Sequence, residues 1–200
     1  TSYARARAES LIAKRAALVK SQITPDGKLD LTRAKLTAQQ AIPGFACYRT
    51  VEETYATMSS LASRYPTRAS VVDIGPSWTY ADSNGAAGYR MRVLRLNNSA
   101  TDATVPNKLN MVVIAAIHAR EYTTAELVTR FAEWLANGYG NDAEATWLLD
   151  NFRFHFLLQA NPDGRKRAES GLSWRKNTND TDGSVAVPPW MIIPMGRSGV

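Results

Sequence analysis

The sequence predicts an α/β fold, a sheet packed by helices, and three observations predict it. Val112-Val113-Ile114-Ala115-Ala116-Ile117 is continuously apolar, the pattern of a strand covered on both faces. A helical stripe follows, with Leu127, Val128, Phe131, Trp134 and Leu135 on one side. A second strand comes next, over Phe152 to Gln159, and the order strand, helix, strand places helices against a sheet. Composition agrees. A chain of 200 residues, 44% hydrophobic and 21% charged, is a globular domain able to bury a core. The same figures exclude collagen-like, coiled-coil and disordered classes. The longest apolar run, Met111 to Ile117, falls far short of the roughly 20 residues that span a bilayer.

The elements follow in order. Residues 3–20 read as a basic, alanine-rich helix with a thin apolar stripe of Leu11, Ile12 and Leu18. Thr24-Pro25-Asp26-Gly27 is a turn, and Ile42-Pro43-Gly44 is a boundary, so residues 1–45 are expected to be an N-terminal extension or the end of a pro-segment. Thr50 with Glu53 forms a capping box for a helix whose face carries Val51, Tyr55, Met58, Leu61, Ala62 and Tyr65 until Pro66 stops it. Ser70 to Ile74 and Tyr89 to Leu96 are strands, and the turn signal Asp82-Ser83-Asn84-Gly85 between them makes them neighbours. The central strand is expected over 108–117. Its helix spans about 124–137 with Gly138 as the stop, and a shorter helix spans 142–149. Phe131, Trp134 and Trp147, at helical spacing, are expected in the core. Asn161-Pro162-Asp163-Gly164 is read as a structural turn that ends the last strand.

Net charge is +6. Basic residues gather in the first twenty positions and at Arg165-Lys166-Arg167, which read as solvated faces because no nucleic-acid module accompanies them. The single cysteine, Cys47, excludes an internal disulfide framework and reads as a buried or incidental thiol.

Chemistry concentrates at the end of the apolar strand, where open α/β sheets bind ligands. His118-Ala119-Arg120-Glu121 lies there. An imidazole nitrogen and a carboxylate three positions apart converge on one ion when the backbone turns between them, although a surface histidine beside a solvated glutamate has the same spacing. Histidine, glutamate and a further histidine form the three-ligand set of a catalytic zinc, which lowers the pKa of its water towards about 7. His155, the other histidine of the chain, alternates with Phe154 and Phe156 inside a strand and reads as a packed or satisfied side chain rather than a ligand.

Three motifs in register, Ile117-His118-Ala119-Arg120-Glu121, Asn161-Pro162-Asp163-Gly164 and Trp174-Arg175-Lys176-Asn177, resemble the zinc carboxypeptidase family, the relatives of carboxypeptidase A. Tyr48-Arg49-Thr50 with its following helix resembles the start of the family's catalytic domain, and the likeness covers about residues 45 to 180. The resemblance implies an incomplete α/β/α sandwich with a mixed sheet, with 46–182 as the first part of the catalytic domain and 183–200 as an aberrant or truncated tail. It implies one Zn2+ ion held by His118 and Glu121, with Arg120 binding the substrate peptide and Arg175 polarising the scissile carbonyl and steadying the oxyanion. Loss of a donor of that kind costs on the order of 10²–10³ in rate. The implied activity is hydrolysis of C-terminal peptide bonds by a secreted or periplasmic monomer whose partners are peptide or protein C-termini, with no nucleic acid and no membrane.

The family's later parts are not placed in this sequence. They are an Asn-Arg pair for the terminal carboxylate, a third zinc ligand, a mobile tyrosine and a general-base glutamate. A frameshift or mispredicted gene end after Asp182 is the expected reason, with weak zinc binding and no turnover from this chain. Two alternatives stand beside the peptidase: a zinc amidohydrolase of the deacylase type, which shares the His-x-x-Glu spacing, and a non-catalytic peptide-binding fragment presenting Arg120 and Arg175.

Overall fold

A computed structural model describes Ile42, Gly44, Phe45 and residues 47–180. The expected helix over 3–20, the turn at 24–27 and the tail at 183–200 lie outside the described residues. Helix α1 spans Val51–Arg64 and opens with the expected capping box, Thr50 accepting from the Glu53 amide while Glu53 accepts from the Thr50 amide. Strand β1 (Ala69–Pro76), short helix α2 (Trp78–Asp82) and strand β2 (Arg90–Leu96) follow. The expected turn at 82–85 falls just after α2, with Asn84 and Gly85 at positive φ, and β1 and β2 are neighbours as expected, paired antiparallel. Gly88 is obligatory. A Cβ there would lie 2.4 Å from the Tyr80 amide nitrogen.

Strand β3 (Leu109–Ile114) leads through helix α3 (Tyr122–Gly138) and helix α4 (Ala143–Asn151) to strand β4 (Phe152–Leu157). The sheet order is β1-β2-β4-β3, with β3 and β4 parallel and the other pairs antiparallel, so the sheet is mixed. Parallel neighbours require a crossover, which α3 and α4 supply. On the covered face, Leu94, Leu96, Phe154 and Phe156 pack with Val51, Met58, Leu61, Ala132, Leu135 and Leu149. Phe131 of α3 meets Phe154 and Phe156 edge-on.

The other face differs from expectation. Val112 is 67% exposed and Ile114 50% exposed, because β3 is an edge strand and its outward residues have no covering layer among the described residues. Trp134 and Trp147 also depart from their expected core positions, at 37% and 57% exposed. Trp134 stacks on Phe131, and Trp147 lies against Phe152 at the rim of the helical layer. Cys47 is exposed, an incidental thiol.

Two further readings are corrected. Asn161-Pro162-Asp163-Gly164 begins helix α5 (Pro162–Glu169), with Asn161 as N-cap and Pro162 in the first turn, a position where its missing N–H costs nothing. Arg165-Lys166-Arg167 is a solvated face only in part: Lys166 is exposed, whereas Arg167 is half-buried over the Trp174 ring at 4.3 Å. Arg165 is fully buried with its guanidinium over Tyr122 at 4.3 Å and beside Glu169 at 3.3 Å. Burial pulls its pKa below the usual arginine range, against the opposing pull of the Glu169 carboxylate. Glu169 also accepts from the Val51 amide, and Arg165 donates to the Arg49 carbonyl, so α5 is fastened to the start of α1. Arg49 in turn bridges to Glu126 and Glu133 of α3. Arg49 therefore knits the domain's first helix to its central one.

Candidate functional site

At the end of β3 the chain must turn sharply. Ala116 adopts φ 53, a left-handed conformation that costs a non-glycine residue about 1 kcal/mol or more. Its neighbours hold it there: the Ala115 amide donates to Leu157, Ala160 donates to the Ala115 carbonyl, and the Ala116 amide donates to Thr124 Oγ1. The turn delivers His118-Ala119-Arg120-Glu121 to the head of α3. Glu121 is the N-cap residue of that helix, yet its carboxylate makes no capping bond, so the side chain is left for other work.

A second loop is sewn to the first. The Ala119 amide donates to the Arg175 carbonyl at 3.1 Å. Asn161 Nδ2 donates to the carbonyls of Ile117 and Lys176, at 3.3 and 2.8 Å. Trp174, 5% exposed, packs with Ala119, Tyr122 and Ile42, and its indole N–H also donates to Lys176 O. Gly164 is required at this junction. A Cβ there would stand 2.6 Å from both the Asn161 amide and the Lys176 carbonyl. Buried Asp163 accepts from Ser77 Oγ and the Thr79 amide, fixing the same corner from the α2 side. The motif singled out as a turn is thus the hinge pin of the site. Its signal in the sequence was the Pro-Gly pair, which does not reveal how a buried side chain will be used.

Three of the four candidate residues meet. His118 Nδ1 lies 3.0 Å from Glu121 Oε1 and 3.1 Å from Oε2. Arg175 Nη2 lies 3.0 Å from the same Nδ1, and Arg175 Nε lies 3.6 Å from Glu121 Oε1. The side chains of His118, Glu121 and Arg175 are 37%, 44% and 45% exposed, so the cluster is open to solvent. The fourth residue, Arg120, is exposed and donates to Ser173 Oγ at 2.8 Å, a partner with no signal in the sequence.

The arrangement suits a cation. A guanidinium only donates, so its bond requires an unprotonated Nδ1, whereas the contact with Glu121 requires a protonated one. One nitrogen cannot satisfy both. When Nδ1 accepts from Arg175, a lone pair and a carboxylate oxygen face each other at 3.0 Å with no proton between them. Two ligands of a tetrahedral zinc ion with bonds of 2.0–2.1 Å lie about 3.3 Å apart, and imidazole with carboxylate is a zinc donor set. His118 and Glu121 therefore fit two positions of such an ion. Among the described residues no group of three or more His, Cys, Asp and Glu side chains is gathered to complete it. His155 is elsewhere, with Nε2 at 3.0 Å from Asn110 Oδ1, the satisfied strand histidine that was expected.

Comparison with known proteins identifies the family. The family model of the zinc carboxypeptidases matches residues 54–196. Rat carboxypeptidase A1 is 29% identical over 144 residues, 72% of this chain and 31% of the relative. An inactive metallocarboxypeptidase of Arthroderma gypseum is 30% identical over 125 residues, 62% of this chain and 20% of the relative. The crystal structure of thrombin-activatable fibrinolysis inhibitor superposes with a TM-score of 0.55 at 25% identity, covering 66% of this chain and 30% of that one. The chain thus spans about a third or less of the length of these relatives. On the family match, the three sequence motifs and the mixed sheet that carries them, the chain belongs to the zinc carboxypeptidase family.

Proposed function

We propose that the whole protein is a metallocarboxypeptidase that hydrolyses C-terminal peptide bonds, and that this chain contributes the first two zinc ligands and two substrate-facing arginines of its site. The observation that carries the reading is the convergence of His118 Nδ1, the Glu121 carboxylate and the Arg175 guanidinium within 3.0–3.6 Å at a strand end. Bound zinc would supply a Lewis acid and a water of lowered pKa. Arg175, tethered through its carbonyl to Ala119, presents a fixed cation beside the ligand pair, suited to a carbonyl oxygen that gains negative charge. Arg120, braced by Ser173, presents a second cation for the peptide. Peptide C-termini are the substrate class, and a secreted or periplasmic site of action accompanies this reading. Among the described residues no helix is long and apolar enough to cross a membrane.

Zinc titration calorimetry on the 200-residue chain tests the ligand assignment. Weak binding is expected, reduced at least about tenfold by His118→Ala and by Glu121→Ala, since even supporting residues of metal sites cost 10–100-fold. Unchanged affinity in both variants would sink the assignment. Tight stoichiometric zinc with turnover of a blocked dipeptide would overturn the expectation that this chain is inactive alone.

A second reading has one observation in its favour. Arg175 occupies the Nδ1 lone pair that a metal would use, so a metal-free, peptide-binding form is compatible with the same side chains. Peptide binding that survives chelation and disappears in Arg120→Ala would favour it.

A further inference from the structure

A surface cleft of about 320 Å³ lies at the opposite end of the sheet, at the start of β1 and β4 and the end of β2. It is lined by Ser70, Arg95, Ser99, Arg153 and His155, together with the 66–69 segment that carries Arg68. Three arginines and a histidine share this lining with no carboxylate in it. Arg95 and His155 are direct cross-strand partners, and Ser70 pairs with Arg95 on the other side, so a row of polar side chains crosses three strands on the face that has no covering layer among the described residues. Arg153 is half-neutralised by Asp102, which also holds Lys108. Arg95 is exposed and has no carboxylate partner among the described residues. Arg68 stacks on Tyr65 and Tyr139, and its buried Nε lacks a hydrogen-bond partner.

We infer that this cleft binds a tetrahedral oxyanion of the phosphate or sulfate class, at a site separate from the metal centre. Like charges set side by side across strands repel, and an anion between them removes the repulsion. The Arg95 guanidinium fork, the Ser70 hydroxyl and, once the ring is charged, His155 Nδ1–H come from three strands and suit the spread oxygens of a tetrahedral anion better than the coplanar pair of a carboxylate, while the Ser99 hydroxyl is engaged by the Thr67 carbonyl. His155 is placed to respond. Asn110 Oδ1 only accepts, so Nε2–H is the donor to it and Nδ1 is the nitrogen that protonates when the ring becomes charged. Burial, with Arg95 and Arg153 nearby, now holds the imidazole below its usual pKa, and a bound anion would reverse the charge contribution. The cleft and the His118 cluster are separated by the length of β4, about 15–20 Å at strand rise.

The chain has two histidines, so its imidazole C2–H signals report both ends of the sheet in one NMR titration. Inorganic phosphate, sulfate, methyl phosphate and acetate are added to the 200-residue chain against chloride at equal ionic strength. Phosphate and sulfate are expected to shift His155 saturably and raise its midpoint by about one unit, with His118 the control. Arg95→Gln, at an exposed position, is expected to weaken the effect about tenfold, as the loss of a charged hydrogen bond does. Binding of methyl phosphate as well identifies an ester-borne group as ligand, and binding of inorganic phosphate without it identifies the free ion. No saturable shift of His155, an undiminished shift in Arg95→Gln, or acetate binding as tightly as phosphate would each overturn the inference.

Discussion

The two faces of the sheet are built from alternate residues of the same strands, yet they obey different rules. On the face under the helices, Leu94, Leu96 and Phe156 have no exposure and Phe154 has 2%. One residue along, the other face carries Arg95, Arg153, His155, Val112 and Ile114, half-buried or exposed. Stability comes from the first face, because apolar area leaves water there. The second face is open to solvent, and its polar groups are partnered unevenly: Arg153 pairs with Asp102 and His155 with Asn110, whereas Arg95 has no carboxylate partner among the described residues. A one-residue slip in register would exchange the two.

The largest effects are expected where the covered face is broken. Phe156→Ala should cost about 3–5 kcal/mol in urea unfolding, by lost transfer energy plus a cavity. Glu169→Ala should cost a similar 3–5 kcal/mol, since it strands the buried Arg165 and the Val51 amide. Gly164→Ala should cost about 1–3 kcal/mol, because its Cβ meets Asn161 and Lys176. The same variant should weaken zinc binding, which would show that the corner positions Arg175 and the ligand loop as well as packing.

Smaller effects sharpen the comparison from the open face. The His155 pKa lies below its unfolded value, so the unfolded chain binds more protons between the two values. Stability should therefore be fully present above about pH 6.5 and fall as the pH drops through the folded pKa, with a slope that His155→Gln removes. Chemical unfolding at a series of pH values measures it. Val112→Thr should change stability by less than about 0.5 kcal/mol, as at other exposed positions. A cost near that of Phe156→Ala would mean that this face is covered in solution.

Local signals carried much of the fold. The Thr50–Glu53 box, the stripe of α1, the strand at Phe152 and the turn signal between β1 and β2 are each written within a few residues, and each formed as read. Helix α5 was missed because Asn161-Pro162-Asp163-Gly164 is equally good turn chemistry and helix-start chemistry. The outcome turns on Asp163 and Arg165 finding partners at Ser77, Thr79, Arg49 and Glu169. The misplacement of Trp134 and Trp147 has a related cause. Helical spacing names a face, but how far that face extends under neighbouring elements depends on the width of the sheet.

By itself the sequence determined the class of fold, the apolar strand that precedes His118-Ala119-Arg120-Glu121, and the presence of residue types suited to a zinc ion and a peptide. These are local properties, of period, capping and side-chain chemistry. The tertiary structure decided that Arg175 reaches His118 across 57 residues of chain, that Arg165 is buried rather than solvated, and that Arg95 and His155 pair on a side of the sheet with no covering layer among the described residues. Those outcomes depend on which distant segments come to lie together, and contact between distant segments is set by packing of the whole chain rather than by any stretch of it.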